Sequence, residues 1–167
     1  AMVKDKNLSK KLSDDVDEME KMLNEYLQFA STGAKDKTEN FDLSDLVENL
    51  INKYENLNIL KEFKKRIYFN GRKNLIQRCI NNLIDNSIKY GEKSKIILEK
   101  KSSNIIISIE DDGPGIPKSE YNNVIKPFYK IDKSRSESKS SVGLGLAISS
   151  DIIKSHGGDM NFGKSSF

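Results

Sequence analysis

Cysteine occurs once in these 167 residues, at Cys79, histidine once, at His156, and tryptophan not at all. A single thiol excludes an internal disulfide and fits a reducing compartment. His156 has no second His or Cys near it in sequence to share a metal, so capping or packing is its expected role. No apolar run approaches the roughly 20 residues of a membrane-spanning helix, and no signal peptide is visible. Neither sign of charge dominates: 28 Lys and Arg stand against 25 Asp and Glu, a net charge of +3. That balance implies no general attraction to nucleic acid or to membrane surfaces. At 36% hydrophobic residues the chain can bury a core, though a lean one. Its length suits one domain, or one domain with a helical appendage.

What is present begins with a heptad seam. Leu12, Val16, Met19, Leu23, Tyr26 and Ala30 are spaced 4, 3, 4, 3 and 4, with Leu8 one turn earlier. The spacing predicts a long helix whose apolar stripe needs a partner, since a lone helix cannot bury it. Residues 31–40 are small, polar and charged and read as a linker. Beyond it, residues 41–43 suggest a short strand. Ser44 is placed to cap a helix to about Asn56, with Leu46, Val47, Leu50, Ile51 and Tyr54 inward. Residues 67–69 read as a strand closed by an Asn70-Gly71 turn. A helix over 73–90 carries Leu75, Ile76, Cys79, Ile80, Leu83 and Ile84 as its core stripe. Residues 95–99 and 105–111 read as strands around a turn at Ser102 and Ser103. Residues 118–142 are polar and irregular, a loop long enough to be functional or disordered. A helix over 144–155 ends at Gly157, and residues 160–162 suggest a last short strand. Strands and helices mixed in this order give an α+β class.

Three constellations carry chemistry. The apolar run Ile105, Ile106, Ile107 and Ile109 ends abruptly in Glu110, Asp111 and Asp112, then Gly113, Pro114 and Gly115. This is either an ordinary acidic turn or a carboxylate aimed beyond a sheet edge, with a glycine against which a flat ligand can lie. An EF-hand fits less well, because the alternating oxygen ligands and closing Glu are missing. Asn82 and Asn86 lie one helical turn apart, and Lys89 continues their face. They form either a solvated polar face or a hard-oxygen position suited to Mg²⁺, which takes one or two protein oxygens and completes its shell with water and phosphate. Gly143, Leu144, Gly145 and Leu146 open a helix, either as a plain start or as a phosphate-facing one. Residues 158–165, GDMNFGKS, match the P-loop pattern letter for letter. Their context is wrong, with a helix before and no long helix after.

A carboxylate for an amino-substituted base, an amide for a metal and a glycine helix start for phosphates together describe a nucleotide site. At this point the chain resembles the sensor histidine kinases of two-component systems. Asn82-Leu83-Ile84-Asp85-Asn86-Ser87-Ile88-Lys89-Tyr90 is similar to their N box, and Asp111-Asp112-Gly113-Pro114-Gly115-Ile116 to their first glycine box. Pro127-Phe128-Tyr129 is similar to their F box, and Gly143-Leu144-Gly145-Leu146 to their second glycine box.

The resemblance implies an α+β, two-layer sandwich: a mixed sheet backed by helices, of the type shared with gyrase, Hsp90 and MutL, preceded by a long coiled-coil-like helix. It implies ATP and Mg²⁺ as cofactors. Asp111 would accept from the adenine amino group, with Gly113, Gly115 and Ile116 beside the base. Asn86 would ligate Mg²⁺, Asn82 would support the phosphate side, and Lys89 and Tyr90 would line the phosphate and base regions. Gly143, Leu144, Gly145 and Leu146 would wrap the phosphates, and Lys130, with Lys133 and Arg135, would meet them when a lid over 118–142 closes. The domains implied are a remnant of the dimerisation and histidine-phosphotransfer hairpin over 1–32, a linker over 33–40 and a catalytic domain over 41–167. Implied partners are a His-bearing hairpin helix, a response-regulator receiver domain and a second copy through the N-terminal helix, with no nucleic acid. The implied location is the cytoplasm, or the cytoplasmic part of an inner-membrane protein. The family's phosphoacceptor helix and closing strand have no counterpart in the sequence, so a fragment without self-labelling activity and with an open sheet edge is expected. A non-catalytic nucleotide-binding or dimerisation module is the alternative.

Overall fold

The computed structural model describes residues 36–54, 57–63, 66–131 and 142–167, with residues 9–10, 12–17, 19–20, 23–24 and 27 of the N-terminal stretch. Those N-terminal residues are helical, and Leu12, Val16, Met19, Leu23 and Leu27 are each more than half exposed. Leu8, Tyr26 and Ala30 of the predicted seam lie outside the described residues.

In chain order the domain runs β1 (Glu39–Asp42), α1 (Leu43–Ile51), a 3-10 turn (Asn52–Tyr54), β2 (Asn58–Phe63), β3 (Tyr68–Gly71), α2 (Lys73–Tyr90), β4 (Lys93–Lys101), β5 (Asn104–Asp111), a second 3-10 turn (Lys118–Glu120) and α3 (Gly145–Lys154). β1 and β3 form an antiparallel pair. The larger sheet has the order β2-β4-β5, with β2 parallel and β5 antiparallel to β4, so it is mixed. Along β4 the burial alternates: Ser94, Ile96 and Leu98 are buried, while Lys93, Lys95, Ile97 and Glu99 face the other way. That period of two marks a sheet with one face on the core. The inner face and the stripes of the helices close one core that includes Leu43, Val47, Leu50, Ile80, Ile84, Ile96, Leu98, Leu144, Ile148 and Ile152.

Local departures from the sequence expectation have physical causes. Asp42, not Ser44, caps α1, its Oδ1 accepting from the N–H groups of Ser44 at 2.9 Å and Asp45 at 3.3 Å. Ser44 is buried instead, and its hydroxyl oxygen accepts from Ile67 N at 3.1 Å. Asn70 and Gly71 are not a turn but the end of β3, paired with Asn40 and Glu39. A Cβ at Gly71 would run into the Phe69 ring, which is why glycine stands there. β2 was not anticipated. It is an edge strand whose charges pair outward, Lys61 with Glu48 at 2.8 Å and Glu62 with Lys95 at 2.7 Å, so no apolar alternation announces it. The Glu62 carboxylate holds the Lys95 ammonium above the ordinary lysine range.

The strand expected over 160–162 does not form. Residues 158–167 run without regular structure. Phe162 stacks on Tyr121 with ring centroids 5.2 Å apart, and the backbone N–H and hydroxyl of Ser166 both donate to Glu110 Oε2. Side chains thus take the place of a backbone ladder. The Ser166 hydroxyl, then its N–H, holds the Glu110 carboxyl below the ordinary glutamate range. Among the described residues β5 pairs on one side only.

Candidate nucleotide site

α2 is the wall on which the site is assembled. Its apolar stripe fixes its roll: Leu75, Ile76, Cys79, Ile80 and Ile84 are buried, and Leu83 is half-buried against them. Asn82, Asn86 and Lys89 then share the half-buried margin of the helix, one turn apart. Asp85 of α2 accepts the hydroxyl proton of Tyr54 at 2.7 Å, and burial followed by that carboxylate raises the Tyr54 phenol well above its ordinary range.

At the C-terminal end of α2 lies the turn after β5. Asp111 Oδ1 accepts from Gly113 N at 2.9 Å, which fixes the carboxylate and leaves its second oxygen unused by that bond. A Cβ on Gly113 would stand 2.6 Å from the Tyr90 carbonyl oxygen and 2.7 Å from Asp111 Oδ1, so only glycine fits. Gly115 has φ +70°, and nothing lies within 4 Å of where its Cβ would point. Ile116 beside it is half-buried. Asp112, to which the sequence reading gave no role, clamps this turn. Its Oδ1 accepts from the N–H groups of Glu92 at 2.7 Å and Lys93 at 2.9 Å. The Lys93 N–H, then that of Glu92, holds its carboxyl below the usual aspartate range. The signal was there to read: a second acidic residue in a turn is a ready acceptor for free backbone N–H groups. Lys89 and Tyr90 close this end, with Lys89 Nζ 5.3 Å from the centre of the exposed Tyr90 ring.

The start of α3 meets the middle of α2. Gly145 faces both asparagines: its Cβ position is 3.9 Å from Asn82 Cβ and from Asn86 Nδ2, and Asn82 Nδ2 donates to the Gly145 carbonyl at 3.4 Å. No side chain caps α3, so its first N–H groups have no side-chain acceptor at this point. Leu144 is buried in the core and offers a ligand only its backbone, and Leu146 is half-buried. Gly143 has φ +78°, and its carbonyl accepts from Phe128 N at 3.0 Å. Phe128 itself has φ +64°, a conformation that costs a bulky residue free energy and often marks a functional turn. Lys130 is half-buried, one residue beyond the Tyr129 carbonyl, which lies 3.0 Å from the Cβ position of Gly143.

Within residues 118–131 the chain is braced: the Tyr129 hydroxyl and Asn123 Nδ2 both donate to Glu120 Oε2. The Tyr129 hydroxyl, then the Asn123 amide, lowers the Glu120 carboxyl, and that carboxylate in turn raises the Tyr129 phenol. Lys133 and Arg135 lie outside the described residues. His156 packs, as expected: Nε2 accepts from Arg72 N at 3.1 Å, Nδ1 meets the Ile152 carbonyl at 2.7 Å, and the ring lies tilted against Phe69.

The fit of Mg²⁺ rests on the donors present. Among the described residues no cluster of three His, Cys, Asp or Glu could hold a metal, so an all-protein cage is not the arrangement here. A single amide oxygen is what the site offers instead. Asn86 turns Nδ2 to Gly145, which leaves its carbonyl oxygen on the other side of the amide carbon. One such oxygen, with phosphate and water, is a usual Mg²⁺ shell.

Comparison with known proteins defines the class. The profile of the histidine kinase-, DNA gyrase B- and HSP90-like ATPases matches residues 71–166, more than half of the chain, and the chain belongs to this family. Within it, its fold is that of the ATP-binding catalytic domain of sensor histidine kinases. It is 28% identical over 167 residues to the sensor histidine kinase GtrS of Pseudomonas aeruginosa, covering 96% of this chain and 33% of that protein. It is 35% identical over 135 residues to the sensor protein VanSC of Enterococcus gallinarum, covering 75% and 37%. The solved mycobacterial sensor histidine kinase MprB superposes with a TM-score of 0.63 at 21% identity, over 72% of this chain and 81% of that one. The chain spans about a third of the length of these two curated relatives.

Proposed function

We propose that this chain binds Mg-ATP and passes the γ-phosphoryl group to a histidine on a separate helical hairpin, from which it is relayed to an aspartate of a response-regulator receiver domain. The observation that carries the reading is the uncapped start of α3 lying against Asn82 and Asn86, on the same helix whose C-terminal end is held against the Asp111–Gly113 turn. Asp111 accepts from the adenine amino group through its second oxygen. Gly113, Gly115 and Ile116 leave room for the flat base, with Tyr90 at its edge. Asn86 holds Mg²⁺, which neutralises charge on the phosphates. Asn82 orients the phosphate side, Lys89 and Lys130 supply cations, and the N–H groups of the 143–146 segment receive the phosphate oxygens. The protein's part in the transfer is positioning and charge stabilisation rather than covalent chemistry.

The regions are read as a remnant of the dimerisation hairpin over 1–32, a linker over 33–40 and the catalytic domain over 41–167. The exposed Leu12, Val16, Met19 and Leu23 support pairing with a second copy or with the His-bearing helix. No helix among the described residues is long and apolar enough to cross a membrane, and the reading is of a cytoplasmic domain, free or attached to a membrane sensor. The chain does not label itself, because both ring nitrogens of His156 are occupied by Arg72 and Ile152.

The test is transfer in trans. Incubated with ATP and Mg²⁺, the chain alone should gain no acid-labile phosphate, whereas an added His-bearing hairpin from a related kinase should gain it. Label on His156, or no transfer to any such hairpin by a chain that binds ATP, would overturn the proposal.

A further inference from the structure

α2 and α3 run antiparallel and are stitched at three levels. At the nucleotide end, Asn82 Nδ2 donates to the Gly145 carbonyl at 3.4 Å. Midway, the Cys79 thiol approaches the Ser149 carbonyl at 3.9 Å while the Ser149 hydroxyl donates to the Cys79 carbonyl at 3.4 Å. At the far end the contacts are shorter. Arg72 N donates to His156 Nε2 at 3.1 Å, and the Arg72 guanidinium donates to Ser155 Oγ at 2.6 Å and to the Ser155 carbonyl at 3.3 Å. Nδ1 of His156 lies 2.7 Å from the Ile152 carbonyl, an acceptor, so Nδ1 carries the ring proton and Nε2 is free to accept. The ring is further confined by Phe69, 6.0 Å away between centroids, and by Gly71, where a Cβ would come within 3.1 Å of it. Gly157, at φ +76°, turns the chain out of α3, with the N–H groups of Gly157 and Gly158 returning to the carbonyls of Lys154 and Ile153.

We infer that the Arg72–Ser155–His156 clasp sets the axial register of α3, making His156 a positioning residue for the phosphate side of the nucleotide site; this rests on the reading of that site given above. Packing of Ile148 and Ile152 holds α3 on the domain, but apolar contact is non-directional and permits sliding. Register comes from directional contacts, and the strong ones are at the clasp. A ten-residue helix is about 15 Å long and stiff, so a shift at Ser155 is carried to Gly145. Gly145 and the first N–H groups of α3 move with it. Asp111 sits on β5, held by its own turn, and does not.

The experiment is calorimetric titration of the 167-residue chain with Mg-ATP and, separately, adenosine. Two substitutions divide the ring's functions. His156→Gln places an acceptor near the position of Nε2, whereas His156→Asn retains a group near Nδ1 and cannot reach Arg72. His156→Asn should weaken Mg-ATP about five- to tenfold and leave adenosine unchanged, the scale of a typical coupling between distant sites. His156→Gln should restore ATP affinity close to the parent value. Ser155→Ala, at an exposed position, should show the same split more weakly. Equal losses for ATP and adenosine would mean a general structural effect and overturn the inference, as would unchanged ATP affinity in folded His156→Asn. If His156→Asn does not fold, an unchanged ratio of the two affinities in Ser155→Ala overturns it instead. Asn86→Ala, run alongside with Asp111→Asn, separates the levels: ATP lost in these but not in the clasp variants sinks the clasp alone, and ATP affinity unchanged in both sinks the site reading with it.

Discussion

The proposed base end and the proposed phosphate end of the site are built in opposite ways. Around Asp111 the groups are pinned: the carboxylate by Gly113 N, the turn by Asp112 on two backbone N–H groups, and the space at Gly113 is too tight for any side chain, with the Tyr90 carbonyl at its back. Around Gly145 the contacts are long or merely touching, the bond to Asn82 stretches to 3.4 Å, and α3 starts without a cap. One end is preorganised and the other is left for the ligand to complete. That division suits the proposed kinase activity, in which the base would be the same throughout the cycle while the phosphate end would accept ATP and release ADP.

The sharpest break of this comparison is a pair of glycine substitutions. Gly113→Ala should destabilise the whole domain by about 1–3 kcal/mol or more, because its Cβ meets backbone and a fixed carboxylate rather than a flexible side-chain end. Gly145→Ala should leave the melting temperature level or higher, since the added methyl meets only ordinary contacts and alanine favours a helix. Thermal denaturation decides it, and equal losses in the two variants would erase the distinction.

Smaller, and confined to binding, are changes to the ligand-facing side chains. Asp111→Asn should cost roughly 1–3 kcal/mol in affinity for ATP, ADP and adenosine alike, through an unpaired group against the base. Asn86→Ala should instead abolish the gain in ATP affinity on adding Mg²⁺ and spare adenosine. Unchanged nucleotide affinity in both variants would end the site assignment.

Acid provides a gentler probe of the base end. Asp112 has its carboxyl lowered by the N–H groups it accepts. A lowered folded-state value contributes stability above the unfolded value, about 3.9 for aspartate, and that contribution is lost as pH falls through the folded value. Denaturant midpoints measured downward from pH 5 should therefore fall more steeply in the parent than in Asp112→Asn, and parallel curves would contradict the clamp.

Least visible is the middle of the α2–α3 seam. Burial pushes the Cys79 thiol up to about 11, against a weaker opposing effect of Ser149. A thiol reagent at pH 8 should label the native chain far more slowly than the unfolded one, and saturating nucleotide should slow it only slightly further.

Much of this was legible because the residues that make the site also make its local structure. α2 was read with its bounds and core stripe because its periodicity is uninterrupted from Leu75 to Ile84. The glycines and carboxylates at 111–115 and 143–145 were legible because few other residues allow such turns. What escaped depends on distant partners. β2 shows only Ile59 and Phe63 as partly buried apolar residues, and its identity as a strand comes from pairing with β4. The expected strand over 160–162 was overridden by ring stacking at Phe162 and the Ser166–Glu110 contacts. Asp112 looked redundant beside Asp111, because the N–H groups that it holds lie about 20 residues earlier in the chain.

The three-level seam between α2 and α3 has a kinetic consequence. Its partners are 63 to 84 residues apart in sequence, whereas β4 and β5 are joined by the two residues Ser102 and Ser103. Hairpins close in about 1–10 μs, but contacts across long loops must first overcome chain entropy and form late. The phosphate end is therefore expected to assemble late in folding. In a refolding experiment, competence to bind ATP should lag behind the recovery of secondary structure, and added Mg-ATP should slow unfolding more than it speeds folding. On the proposed reading, nucleotide would then act both as substrate and as the ligand that completes the native state.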